Sequence, residues 1–161
     1  FHSLSKTYNM TGWRIGFACG NREIIAGLGK VKTNIDSGIF QAVQLAGKVA
    51  LEKGASALRE SLAIYKKRRD LFVSGLNQIG WKVPLPKATF YVWIPVPPGY
   101  TSQELGLKLL EEAQIVVTPG NGFGPNGEGY VRVSLTNAEA RLEEALRRIE
   151  KIHPRHPHHG N

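Results

Sequence analysis

Cysteine is all but missing. Of 161 residues only Cys19 carries a thiol, so no intrachain disulfide can form, and a disulfide-built secreted domain is excluded. The expected location is cytoplasmic. Long apolar runs are missing too: none reaches the roughly 18–20 residues a helix needs to cross a bilayer, so no membrane partner is expected. No basic start followed by an apolar run follows Phe1, so no signal peptide is read. The absent initiator methionine reads as a segment cut from a longer chain. Acidic residues are scarce, 13 against 21 Lys and Arg, for a formal charge of +8. That balance suits nucleic acid or anionic ligands. For a segment it describes the segment alone, and no nucleic-acid partner is expected.

What is present is an apolar share of 42% against 21% charged, enough to pack a core. Trp13 to Cys19, bounded by Gly12 and Gly20, reads as a buried strand. Arg22 to Lys30 and Phe40 to Lys53 read as helices, the second stopped by Gly54, with a polar loop over 32–38 between them. Leu58, Leu62, Tyr65, Phe72, Leu76 and Ile79 recur at three- and four-residue steps, which predicts a long helix closed by Gly80. Its run Lys66-Lys67-Arg68-Arg69 reads as a solvated face rather than a phosphate patch. After Pro84 and Pro86, Phe90 to Val96 reads as a strand with Val92 and Ile94 on one face and Tyr91 and Trp93 on the other. Thr101 and Glu104 stand at capping-box spacing before a helix with stripe Leu105, Leu109, Leu110. Further strands are expected at Ile115 to Val117 and Tyr130 to Leu135. Between them lies a glycine-rich loop from Pro119 to Gly129. Thr136 and Glu139 predict a second capping box before a final helix through Ile149. Alternating helices and strands define the α/β class. The expected domains are 1–70, 71–152 and a disordered tail over 153–161.

The chemistry concentrates in Ser3-Leu4-Ser5-Lys6-Thr7-Tyr8-Asn9-Met10-Thr11-Gly12-Trp13-Arg14-Ile15-Gly16. A lysine in a partly dry loop beside a cation loses proton affinity, which frees the amine as a nucleophile. Ser3, Ser5 and Arg14 form a sensible phosphate grip, because hydroxyls donate single bonds and a guanidinium donates a permanently charged pair. From residue types alone, an ordinary surface lysine is an equal reading. Arg132 stands mid-strand between Val131 and Val133, where a charge needs a partner: a structural carboxylate or a ligand's. Gly122-Phe123-Gly124-Pro125-Asn126-Gly127 fits G-x-G-x-x-G formally. It contains proline and runs into a strand, so the dinucleotide reading fails. His153, His156, His158 and His159 are separated by prolines and joined by no cysteine, so no metal site is expected.

Ser-x-Ser-Lys followed by Met-x-Gly-x-Arg-x-Gly resembles the cofactor-lysine signature of the class I/II aminotransferases, the fold-type-I family of pyridoxal-phosphate enzymes. The likeness extends over 1–152 and is densest in 1–21, 87–101 and 118–136. It implies the C-terminal part of that fold: a remnant of the large domain, a connecting helix and a small α+β domain. It implies pyridoxal 5'-phosphate as cofactor, with Lys6 forming its Schiff base and shuttling the α-proton. Ser3 and Arg14 would bind the phosphate, Ser5 matches a position that is often a hydroxyl, and Arg132 would take the substrate α-carboxylate. Amino-acid and 2-oxo-acid substrates, an amino-acid biosynthetic role and a homodimeric parent are likewise implied. Family members are more than twice as long, which implies that this chain alone is inactive. Two other readings stay open: another enzyme of the fold, such as an aspartate-type aminotransferase or a carbon–sulfur lyase, and a non-catalytic domain that keeps the fold.

Overall fold

Polar caps and glycines set the first helices. Asn21 accepts hydrogen bonds from the backbone N–H groups of Glu23 (2.9 Å) and Ile24 (3.2 Å), which starts α2 (Arg22–Lys32). α3 (Gln41–Lys53) ends at Gly54, and α4 (Ala55–Gln78) follows at once. Ahead of them stand β1 (His2–Ser3), the single-turn α1 (Leu4–Thr7), a 3-10 turn (Thr11–Trp13) and β2 (Gly16–Phe17). The computed structural model describes residues 1–152. They divide inside α4 into two compact units, Phe1–Leu62 and Ala63 onward.

The first unit has almost no core. Leu4 and Met10 are its buried large side chains, and α2 buries none of its residues. The apolar run 13–19 was expected as one buried strand and is instead a 3-10 turn followed by two strand residues. An apolar strand is buried where other strands and helices flank it. Among the described residues β2 has one short neighbour, β1, in antiparallel register His2↔Phe17 and Ser3↔Gly16. Trp13 and Phe17 are consequently exposed.

The second unit holds the core. β3 (Tyr91–Pro95), β4 (Thr118–Pro119) and β5 (Tyr130–Ser134) form an antiparallel sheet in the order β3-β5-β4. Period-two alternation sends Val92, Ile94 and Val131 inward. They pack with Phe72, Val73 and Leu76 of α4, Leu105 and Leu109 of α5 (Ser102–Ala113), and Leu142 and Ile149 of α6 (Glu139–Ile152). The capping box at Thr101 forms as expected: Glu104 N–H donates to the Thr101 hydroxyl, and Thr101 N–H donates to the Glu104 carboxylate at 2.7 Å.

Four local readings change. Leu110 is exposed, because the α5 stripe that faces the core is Leu105, Leu109 and Ala113. The strand near 115 begins only at Thr118, where pairing with Arg132 starts. The second capping box does not form. α6 starts at Glu139 itself, the Thr136 hydroxyl meets Ser134 at 2.8 Å, and the Glu139 carboxylate takes the Arg68 Nε–H at 3.0 Å. The basic run on α4 is only half solvated. Lys66 and Lys67 face water. Arg68 donates to the carbonyls of Leu135 and Thr136, and Arg69 pairs with Asp70 and donates to Pro86 C=O.

These arginines bias the carboxylates beside them. Hydrogen bonds from Arg147 and then Arg148 hold Glu144 at about 2, below its ordinary 4.5. The Arg68 bond, then its own backbone N–H, lowers Glu139. A carboxylate with a depressed folded pKa stabilises the fold fully above its ordinary value, and the contribution fades as protonation sets in. Thermal melts of the 161-residue chain should therefore drop in midpoint as pH falls from 4.5 toward about 2. A midpoint that stays level through that window would count against these pairs.

Candidate active site

The lysine loop is closed by its own hydroxyls. Ser3 ends β1 and caps α1, its Oγ accepting the Ser5 N–H at 3.1 Å. Leu4, 3% exposed, pins the turn inward, and its N–H donates to Ile15 C=O at 3.2 Å. Lys6 follows two residues later on the exposed side. The Thr11 hydroxyl donates to Ser5 C=O at 3.1 Å, and Arg14 Nη1–H donates to Thr11 C=O at 3.1 Å. A chain of contacts thus runs from Arg14 through Thr11 to Ser5. Arg14 adopts left-handed backbone, φ 52° and ψ 46°, a conformation that costs a non-glycine residue about 1–3 kcal/mol. Gly16 lies against β1, where a Cβ would come within 2.5 Å of His2 O. The structure therefore gathers Ser3, Ser5, Lys6 and Arg14 on one short loop. No carboxylate among the described residues pairs with Arg14.

In the second unit Arg132 occupies the central strand, opposite Trp93 on one side and Thr118 on the other. Its neighbours Val131 and Val133 turn toward the core, so the arginine projects from the other face. A charged partner was one expectation there. What the structure supplies is aromatic: the guanidinium carbon lies 4.2 Å from the Tyr91 ring centroid and 4.2 Å from that of Phe123. Such contacts contribute about 0.5–1 kcal/mol each at exposed sites. Trp93 meets Phe123 edge-on at 5.3 Å and Tyr130 at 6.2 Å. Among the described residues no carboxylate pairs with Arg132. Cation–π contacts use none of a guanidinium's N–H groups in a conventional hydrogen bond, which leaves those donors for an incoming carboxylate.

Phe123 comes from the glycine-rich loop, which is folded into two 3-10 turns, Gly120–Phe123 and Pro125–Gly127. The loop enters β5, not a helix, in line with rejection of the dinucleotide motif. Gly120 and Gly127 touch backbone to backbone: a Cβ on Gly120 would lie 1.9 Å from Gly127 O. Glu128 fastens the loop to the start of α5, accepting from Ser102 N–H at 2.8 Å, the Ser102 hydroxyl at 2.8 Å and Gly129 N–H at 3.0 Å. Those bonds, the Ser102 N–H first, hold its carboxyl below the ordinary range. Tyr91 and Phe123 escaped the sequence reading as site residues. Alternation put Tyr91 and Trp93 on the right face, but strand register was needed to set them beside Arg132.

The chain is thus a mixed helix-and-sheet one that carries a hydroxyl-rich lysine loop and an aromatic-flanked strand arginine. The chain belongs to the aminotransferase class I and II family, whose model matches residues 1–149. LL-diaminopimelate aminotransferase of Syntrophobacter fumaroxidans is 57% identical over 152 residues, 94% of this chain and 39% of that protein. The Moorella thermoacetica enzyme of the same name is 51% identical over the same shares. Substrate-bound BacF from Bacillus subtilis superposes with a TM-score of 0.89 at 39% identity, covering 95% of this chain and 39% of that one. An aminotransferase from Staphylococcus aureus gives 0.88 at 41%, covering 92% and 40%. The chain thus spans about two-fifths of the length of these relatives, and its fold is that part of a fold-type-I transferase.

Enzymes of this family depend on pyridoxal phosphate. The loop's donors suit that group: a primary amine for its aldehyde, and two hydroxyls and a guanidinium for its phosphate. The tail over 153–161, with the four histidines weighed as ligands, lies outside the described residues. Within the described residues no group of three His, Cys, Asp or Glu stands at metal-binding distance, and no helix is long and apolar enough to cross a membrane.

Proposed function

We propose that the protein carrying this sequence is an amino-group transferase acting on LL-diaminopimelate with 2-oxoglutarate, in lysine biosynthesis. The observation that carries the reading is Arg132, flanked by Tyr91 and Phe123 at 4.2 Å and paired with no carboxylate among the described residues. The identity to LL-diaminopimelate aminotransferases supports the choice of donor. In this reading residues 1–70 belong to the cofactor-binding domain and 71–152 form the small C-terminal domain. The working enzyme is a cytoplasmic homodimer.

Each residue then has a task. Lys6 would hold the cofactor through its aldehyde, and its free Nζ would serve as the base that takes and returns the substrate's α-proton. Ser3 and Arg14 bind the phosphate, with Ser5 as a further hydroxyl beside them. Arg132 orients the substrate through its α-carboxylate with two parallel hydrogen bonds. Bound pyridoxal phosphate supplies an electron sink for the bond broken at Cα.

The 161-residue chain by itself is proposed to be inactive. Supporting this, its first unit exposes Ile24, Val31, Leu45 and Val49, apolar side chains that an active enzyme would cover. The test compares this chain with a relative-length enzyme that contains it, both given pyridoxal phosphate, LL-diaminopimelate and 2-oxoglutarate. Glutamate formation is expected from the longer enzyme only. Glutamate from the short chain would refute its inactivity. Thiol and ammonia release from sulfur amino acids, without glutamate, would instead make the protein a lyase.

A further inference from the structure

We infer that Thr89 is a positioning residue for carboxylate recognition, acting on Arg132 through Tyr91. This rests on the reading of Arg132 as the substrate carboxylate's partner. Thr89 holds φ at +68°. A β-branched side chain is among the least suited to left-handed backbone, where glycine or asparagine sits at little cost. Something other than the turn must therefore favour threonine here.

Its hydroxyl supplies the reason. Thr89 Oγ1 accepts the Tyr91 N–H at 3.1 Å and lies 3.4 Å from Tyr91 C=O, to which it can donate. Both backbone polar groups of the first β3 residue are thus held by one side chain. Tyr91 pairs with Ser134 across the sheet, and its ring packs on Phe90 at 4.6 Å while facing Arg132 at 4.2 Å. Held at both its N–H and its C=O, the Tyr91 backbone is fixed, and with it the direction in which its ring leaves the strand toward the guanidinium. Glycine would adopt the same φ without strain but has no hydroxyl to do this.

The test uses the 161-residue chain with Thr89→Gly, Thr89→Val, Thr89→Ser and Arg132→Lys. One readout is the Arg132 Nε–Hε resonance, which the Tyr91 ring current displaces; it is identified by its loss in Arg132→Lys. The other is the dissociation constant for 2-oxoglutarate. In Thr89→Gly and Thr89→Val the resonance should move toward its random-coil position, and binding should weaken about fivefold, the worth of one hydrogen bond. Thr89→Ser should keep both. Thr89→Gly should melt no lower than the parent chain, since strain is relieved while affinity falls. A purely structural role would lower stability and affinity together. An unmoved resonance in Thr89→Gly and Thr89→Val overturns the inference. If 2-oxoglutarate binds Arg132→Lys as well as the parent chain, the carboxylate reading of Arg132 fails. The resonance still decides the role of Thr89 in that case.

Discussion

Replacing Lys6 with arginine should lower amino transfer about 10³-fold in an enzyme that carries this sequence, the middle of the range for losing a positioned proton-transfer group. Arginine preserves the positive charge, so a loss of this size could not be ascribed to electrostatics alone. A guanidinium stays protonated at any working pH and offers no amine lone pair. It can neither bond covalently to an aldehyde nor pass a proton to carbon. The surroundings should tolerate the change, because Lys6 lies on the exposed side of a turn pinned by Leu4. A second readout is independent of turnover. Borohydride reduction after loading with pyridoxal phosphate should leave a mass adduct on the peptide containing Lys6, and none there in the variant. Adducts scattered over many lysines, and unchanged by the substitution, would remove Lys6 from its assigned role.

Gly120→Ala should destabilise the second unit by about 3 kcal/mol, the upper part of the range for overpacking. The new methyl would stand 1.9 Å from Gly127 O and 2.5 Å from Tyr130 O. Both obstacles are backbone, so neither can rotate away. One ends the second 3-10 turn of the loop that bears Phe123, and the other begins β5. For a unit of this size the melting midpoint should fall by roughly 10–20 °C. Gly122→Ala is the internal control. It lies two residues away in the same loop, with nothing within 4 Å of its would-be Cβ, and should melt almost as the parent chain does. Equal melting of the two variants would mean that the backbone contact is not what requires glycine at 120.

The difference between those two glycines was not legible in the sequence, where both simply mark a loop. What could be read was whatever depends on near neighbours. The helix from Leu58 to Ile79, the stop at Gly54 and the Thr101–Glu104 box each involve residues within a few positions, and each formed. The strands at Tyr91–Pro95 and Tyr130–Ser134 formed too, but several readings that depend on distant partners failed. Trp13 to Cys19 has the composition of a buried strand, yet β2 is two residues long because one short neighbour pairs with it. Glu139 had the spacing for a cap, but Arg68, 71 positions away, claimed its carboxylate. The lysine loop could be picked out as a candidate because its donors lie within twelve residues, from Ser3 to Arg14. The surroundings of Arg132 were not, because Tyr91 and Phe123 reach it only through sheet register and a folded loop.

The uneven burial between the units also has a calorimetric meaning. The main core cluster is drawn wholly from residues past Leu62, while α2 buries no side chain. Heat-capacity change on unfolding follows the apolar surface newly exposed to water, at about 12–15 cal/mol/K per residue of an ordinary domain. In this chain that change belongs almost entirely to the sheet and the helices packed on it. The lysine loop accordingly sits in the part of the molecule that gains least from the cooperative transition, held by a handful of hydrogen bonds and the side chains of Leu4 and Met10.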